Sequence, residues 1–210
     1  MDSEKQTKKK LLDSAKKEFI EKGYMKASLR NICKNAGVTT GALYFFFKDK
    51  DDLFISIAKE PLDELKAVIS NHFSSEALVP IKGIDFSRED FLEDFAAAYS
   101  VLECLYKYKD EFDVILNKAQ GSSLEGVVDS YVDYLYDHYL KLFCGMKDYK
   151  SSKELTDEDR FIVHFMSHDQ VDVFTHILAH CKDLNEAKKQ MKGMFEYMIG
   201  GWMAVIKGII

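Results

Sequence analysis

At 210 residues, with 47% hydrophobic and 30% charged residues, the chain has a globular composition and could hold one small domain plus another of about 150 residues. Two prolines, no long alternating apolar runs and no Gly/Pro-rich hairpins argue against a sandwich or barrel and for an all-α protein. The net charge of −6 divides unevenly: residues 1–60 carry 13 Lys and Arg against 9 Asp and Glu (+4), leaving 16 against 26 (−10) for the rest.

A basic N-terminal module on an acidic body suits a protein that presents one end to phosphates, although an unevenly charged, solvated surface would look the same. The N-terminal MDSEKQTKKK has no apolar leader, so a cytoplasmic location is expected. Cys33, Cys104, Cys144 and Cys181 are far apart with no metal-type spacing, and read as reduced thiols in helical patterns.

The spacing predicts a first helix over residues 6–22, with Leu11 or Leu12, Ala15, Phe19 and Ile20 inward and Gly23 closing it. Leu29, Ile32, Cys33 and Ala36 then form one apolar stripe on a short helix capped by Ser28 and stopped by Gly37. Thr39 caps another short helix running through Phe47. Two short helices joined by about three residues including Gly outline a helix-turn-helix.

On the second of these helices Leu43, Phe46 and Phe47 share one side, while Gly41, Tyr44, Phe45 and Lys48 spread over the other. Adjacent exposed rings on a helix that fits the major groove imply a bound surface. The alternative is that Phe45, Phe46 and Phe47 only thicken the core.

The segment ASLRNICKNAGVTTGALYFFFKDKDDL, Ala27 to Leu53, with KKKLLDSAKKEFIEKGYMKAS before it, resembles the DNA-binding domain of the TetR/AcrR family of transcriptional regulators. The resemblance covers about residues 8–55; beyond it only length and helical pattern are similar. It implies domains at 1–50 (helix-turn-helix) and 51–210 (effector binding and dimerisation). It further implies a homodimer on a palindromic double-stranded DNA operator, released by a small molecule, acting as a repressor and not as an enzyme. Position by position, Arg30 matches a base-reading site, and Thr40 and Gly41 match sites of close approach. Ser28, Thr39, Tyr44 and Lys50 match phosphate-binding sites, with Lys48 near enough to assist. Phe45 and Phe46 depart from the pattern, since phenylalanine cannot donate to a phosphate. Phe45 would touch a thymine methyl or sugar face, and Phe46 would be internal.

Asp49 caps a fourth helix with Asp52 at its third position, and Leu53, Phe54, Ile57 and Ala58 inward. Pro61 is expected to kink or break it near Glu60, with helix resuming to about Phe73. A loop over 74–86 holds Pro80 and Gly83, and Ser87 with Asp90 forms an approximate capping box. Helices follow from Phe91 to Tyr106, from about Glu111 to Ala119 and from about Leu124 to Phe143. Their aromatic stripes suit a mostly apolar effector cavity with Phe95, Tyr99, Leu102, Tyr106, Phe112, Tyr131, Leu135 and Phe165 as candidate walls, or simply a core.

Thr156 caps a helix from about Asp157 to His180, and Asn185 the last one, from about Glu186 onward. Glycines at 193, 200, 201 and 208 are costly in a helix unless another helix packs closely. By resemblance these two helices form a four-helix dimer bundle, for which Phe161, Phe165, Val173, Ile177, Met194, Tyr197, Gly201, Trp202 and Val205 are the candidate contacts. No membrane span is expected, because Glu196 and Lys207 interrupt the apolar run.

His164, His168, Asp172, His176 and His180 recur every fourth residue. His168, Asp172 and His176 are candidate metal ligands, beside the plainer reading of a polar seam at the bundle. No cofactor is expected, and no nucleophile elbow, zinc-protease, P-loop or dinucleotide motif occurs. Two other readings stay open: a helical protein-interaction module using Tyr44 and Phe45, and a metal- or pH-sensing regulator of the same fold.

Overall fold

The computed structural model describes residues 2–76 and 91–207. Nine α-helices follow in order among them: α1 (Asp2–Lys26), α2 (Leu29–Ala36), α3 (Thr40–Phe46), α4 (Lys50–Glu76), α5 (Leu92–Lys107), α6 (Lys109–Asn117), α7 (Val127–Met146), α8 (Asp157–His180) and α9 (Leu184–Lys207). A 3-10 turn, Ser152–Glu154, precedes α8. No strand occurs among the described residues. Residues 74–76 of the expected 74–86 loop are the last residues of α4, and the rest of that loop with Pro80 and Gly83, the box of Ser87 and Asp90, and Gly208 lie outside the described residues.

The helices gather into two compact units. The first holds the chain to Glu64 together with Tyr108–Val127. It therefore reaches past residue 50 and takes in α6, which lies far along the sequence. Its core joins Leu11, Ala15 and Phe19 of α1, Ile32 and Cys33 of α2, Leu43 and Phe47, and Leu53 and Phe54 of α4, with Val114 and Ala119 from the distant segment.

Gly23 interrupts α1 at φ 72° and ψ 167°, a backbone conformation open to glycine. A side chain there would also crowd Lys118, whose Cβ would lie 3.3 Å away. This close approach lets the Tyr24 N–H donate to the Lys118 carbonyl at 2.8 Å. The Lys118 ammonium bonds the Ile20 carbonyl at 3.0 Å and Asp113 at 2.7 Å, and Lys16 pairs with Glu111 at 2.6 Å. The residues after α6 are thus pinned to the end of α1.

Pro61 lies inside α4 without ending it. Residues on either side of the proline share one partner, for the Tyr108 hydroxyl lies 2.9 Å from both the Glu60 and Glu64 carboxylates. The lost main-chain bond is local to one turn, and the helix continues to Glu76 without the expected alternative of a break near Glu60.

The second unit comprises Leu65–Lys107 and the chain from Val128 on. One of its clusters sets Ala98 and Leu102 of α5 against Val173 and Ile177 of α8 and Ala187, Met191 and Met198 of α9. Another is built on Phe143, Leu155 and Val163, with Tyr139 and Trp202 packed around them. Thr156 opens α8 in a full capping box with Asp159. At α9 the expected cap Asn185 falls within the helix, and the Asp183 carboxylate accepts the Glu186 N–H at 3.0 Å. Asp caps as well as Asn does, and Asp183 stands the required three residues before Glu186.

Candidate nucleic-acid interface

The turn between α2 and α3 is fixed by local chemistry. Gly37 takes the left-handed conformation, φ 68°, and the Val38 N–H donates back to the Cys33 carbonyl at 3.0 Å, closing α2. The Ser28 hydroxyl oxygen accepts from the Asn31 N–H at 3.4 Å, and Thr39 accepts from Ala42 at 3.2 Å. Capping occupies an acceptor site of each hydroxyl and leaves its O–H able to donate outward.

Two buried polar side chains of α1 hold α2 in place. Ser14, 8% exposed, donates to the Ile32 carbonyl at 2.9 Å. Glu18, 6% exposed, accepts from the Ser28 N–H at 3.2 Å and the Asn31 side chain at 3.4 Å. A carboxylate over the first turn of α2 also suits the positive end of that helix. Neither residue stood out in the sequence, because a lone Ser or Glu within a charged helix carries no sign that it is buried.

Helix α3 then divides cleanly. Leu43 and Phe47 are buried, whereas Tyr44 and Phe45 are 58% and 71% exposed. Phe46 is half-buried, packing on the core and meeting Phe45 edge-on at 4.9 Å. Arg30, Thr39, Thr40, Gly41 and Lys48 are all exposed and Ser28 is half-buried. Gly41 has only the Thr39 hydroxyl within 4 Å of where a Cβ would be, so its surface lies open to a close partner. Lys50 is more constrained than the sequence suggested: its ammonium donates to the Met25 carbonyl at 3.2 Å and rests 4.6 Å from the Tyr24 ring centre. Burial pulls its pKa below the usual lysine value.

A family profile described as "Bacterial regulatory proteins, tetR family" matches residues 11–57, which span this construction from α1 into α4. This segment of the chain is similar to the TetR family of bacterial regulatory proteins.

The chain is 38% identical over 63 residues to the HTH-type transcriptional repressor Rv1474c of Mycobacterium tuberculosis, covering 30% of this chain and 34% of that protein. It is 37% identical over 82 residues to the HTH-type transcriptional regulator AcrR of Shigella flexneri, covering 38% of each. These matches span little more than a third of either relative's length. In fold, the chain is similar to NalD, the secondary repressor of the MexAB-OprM multidrug efflux pump in Pseudomonas aeruginosa. The TM-score is 0.60 at 18% identity over 92% of this chain and 96% of that one.

Outside this head, the candidate effector residues separate. Phe95 and Tyr99 meet at 4.4 Å, and Phe195 lies edge-on to Phe95 at 5.2 Å. The Tyr99 hydroxyl donates to the Lys188 carbonyl at 3.2 Å and that of Tyr106 to the Cys181 carbonyl at 3.0 Å. Burial, with Cys181, Asp183 and Glu186 nearby, pushes the Tyr106 phenol up to about 12. Leu102 is fully buried and Leu135 nearly so, while Tyr131 is half-buried.

Two candidates do not join them. Phe112, 2% exposed, belongs to the first unit with α6, and Phe165 is 55% exposed. The reason is topological: α6 packs with α1, and Phe165 lies on the outer side of α8. A group on α4 and α7 was missed: Phe73 stacks on His138 at 3.5 Å, Ser70 bonds Tyr134 at 2.8 Å, and His72 approaches Asp94 on α5 at 3.3 Å. Contacts between residues on different helices, such as Ser70 and Tyr134, leave no local trace in the sequence.

The dimer candidates divide likewise. Val173 and Ile177, 4% and 2% exposed, are spent inside the protomer against Leu102 and Met191. Met194, Trp202 and Val205 are partly buried on their own unit. Phe161 and Tyr197 remain 75% and 58% exposed, and Gly201 is exposed. Among the described residues no three His, Cys, Asp or Glu side chains gather as a metal site, so His168, Asp172 and His176 do not form the candidate triplet. The described helices include none long and apolar enough to cross a membrane.

Proposed function

We propose that the protein is a ligand-responsive transcriptional repressor that binds a palindromic double-stranded operator as a homodimer and is released by a small molecule held in its second unit. The observation that carries this reading is the exposure of Tyr44 and Phe45 on a helix whose Leu43 and Phe47 are buried. Large rings are seldom left in water without a partner, and α3 sits in a helix-turn-helix whose second helix fits the major groove.

In this reading Arg30 presents its fork of donors to a guanine edge. Tyr44, Ser28, Thr39 and Lys48 bond phosphates, with Lys50 beside them, and Thr40 and Gly41 allow close approach to bases or backbone. Phe45 lies against a thymine methyl or sugar. Repression is supported by the described roles of the similar mycobacterial and pseudomonad proteins.

Support for the homodimer comes from the outer faces of α8 and α9. Phe161, Phe165 and Tyr197 are exposed, and Gly193, Gly200 and Gly201 have nothing within 4 Å of a built Cβ. Each such glycine costs its helix about 1 kcal/mol, and close packing of a second copy would offset that cost. An effector that binds better to a dimer with badly spaced heads releases DNA by differential affinity alone.

The test is selection of bound duplexes from random DNA, followed by anisotropy titration across salt. Affinity should fall steeply with salt as counterions are released. Tyr44→Ala should weaken binding to all sequences, and Arg30→Ala should relax preference at one base pair by about 1–3 kcal/mol. An unchanged preference in Arg30→Ala removes the base-reading role.

A further inference from the structure

The outer side of α8 carries chemistry that DNA binding does not use. Four of the chain's six histidines lie on this helix, at 164, 168, 176 and 180. They stand as two pairs, each one helical turn apart, with ring centroids 4.7 Å apart for His164 and His168 and 4.2 Å for His176 and His180. His164, His176 and His180 are exposed and His168 is half-buried. His164 meets the Tyr136 ring edge-on at 5.5 Å. Among the described residues no hydrogen bond or ion pair holds any of the four rings.

Residues four apart on a helix keep their Cβ atoms about 5–6 Å from each other, and an imidazole nitrogen sits about 2.0–2.1 Å from a bound zinc ion. Rings already this close need only side-chain rotation to aim one nitrogen each at a common point. The helix backbone stays as it is. In the protomer three of the four rings are exposed and His168 is half-buried, so water completes each coordination shell and no third side chain is required. Nitrogen donors suit copper, nickel and zinc, whereas magnesium and calcium prefer oxygen.

We propose that His164 with His168, and His176 with His180, each clamp one divalent transition-metal ion across a turn of α8. The assignment is independent of DNA binding. Its test is isothermal titration of the full chain, stripped of metal, with copper, nickel, zinc and magnesium salts in a non-coordinating buffer.

The expected result is about two ions per protomer, tightest for copper, with no uptake of magnesium. His168→Ala and His176→Ala should each leave one ion, and the double variant none, with an unchanged far-ultraviolet dichroism spectrum. The glutamine versions, which keep side-chain bulk, should show the same losses. Undiminished stoichiometry in the folded double variant, equal uptake of magnesium, or no heat from the unaltered protein would each overturn the proposal.

Discussion

On α3, Tyr44 and Phe45 stand 58% and 71% exposed, whereas on α5 Tyr99 and Tyr106 turn inward and give their hydroxyls to carbonyls of Lys188 and Cys181. Both helices carry several aromatic residues, consecutive on α3 and a turn or more apart on α5, and the two uses are opposite. What separates them is the partner. Helix α3 has seven residues and one buried side, so the rings on its other side face outward. Helix α5 packs on both α8 and α9, leaving its rings to fill gaps and satisfy backbone. Aromatic density by itself therefore marks neither a binding face nor a pocket.

The sharpest way to break this contrast is to truncate one ring from each side of α3. Phe47 is 1% exposed, and Phe47→Ala should cost about 3–5 kcal/mol in urea unfolding, as for other buried phenylalanines. Phe45→Ala should stay within about 0.5 kcal/mol of the unaltered protein. Comparable losses for the two would mean that Phe45 belongs to the core.

A smaller effect is expected where the head is held by polar groups. Glu18→Ala leaves the Ser28 N–H and the Asn31 amide without their acceptor, and should cost about 1–3 kcal/mol. Glu21→Ala, at an exposed site of the same helix, serves as the control and should be nearly silent. Equal effects would deny Glu18 its role at the start of α2.

The inward use of rings on α5 can be checked by pH. The folded-state pKa of Tyr106 is raised to about 12, against about 10 in an unfolded chain. Its contribution to stability is then complete below pH of about 10 and is lost as pH rises towards 12. Tyr106→Phe should cost about 1 kcal/mol at neutral pH and flatten that alkaline decline. Tyr44→Phe, at an exposed site, should leave stability at neutral pH unchanged. The measurement is chemical unfolding at a series of alkaline pH values, and an unaltered decline in Tyr106→Phe would assign it to another group.

The head was the more legible region because its signals are local. Ser28 and Thr39 cap where their side chains reach the next turn, Gly37 stops α2 with a positive φ, and the apolar stripe of Ile32 and Cys33 is buried. Helix limits elsewhere followed from periodicity, as with Asp157–His180. Hidden from sequence were pairings between distant segments: Lys118 against Ile20, Phe112 in the unit of α1, and Phe73 against His138. Val173 and Phe165 show the same limit on a single helix. Both are apolar and fit a helical pattern, and only the packing of α5 and α9 makes one internal and the other exposed.

The most direct measurement is operator affinity for Tyr44→Ala and Phe45→Ala at two salt concentrations, taken together with their unfolding curves. The outward rings of α3 predict weaker binding for both variants with unaltered stability, and an unchanged salt slope, since neither side chain is a cation that displaces counterions. Full affinity in both variants, or a loss explained wholly by unfolding, would contradict the assignment of this face to DNA.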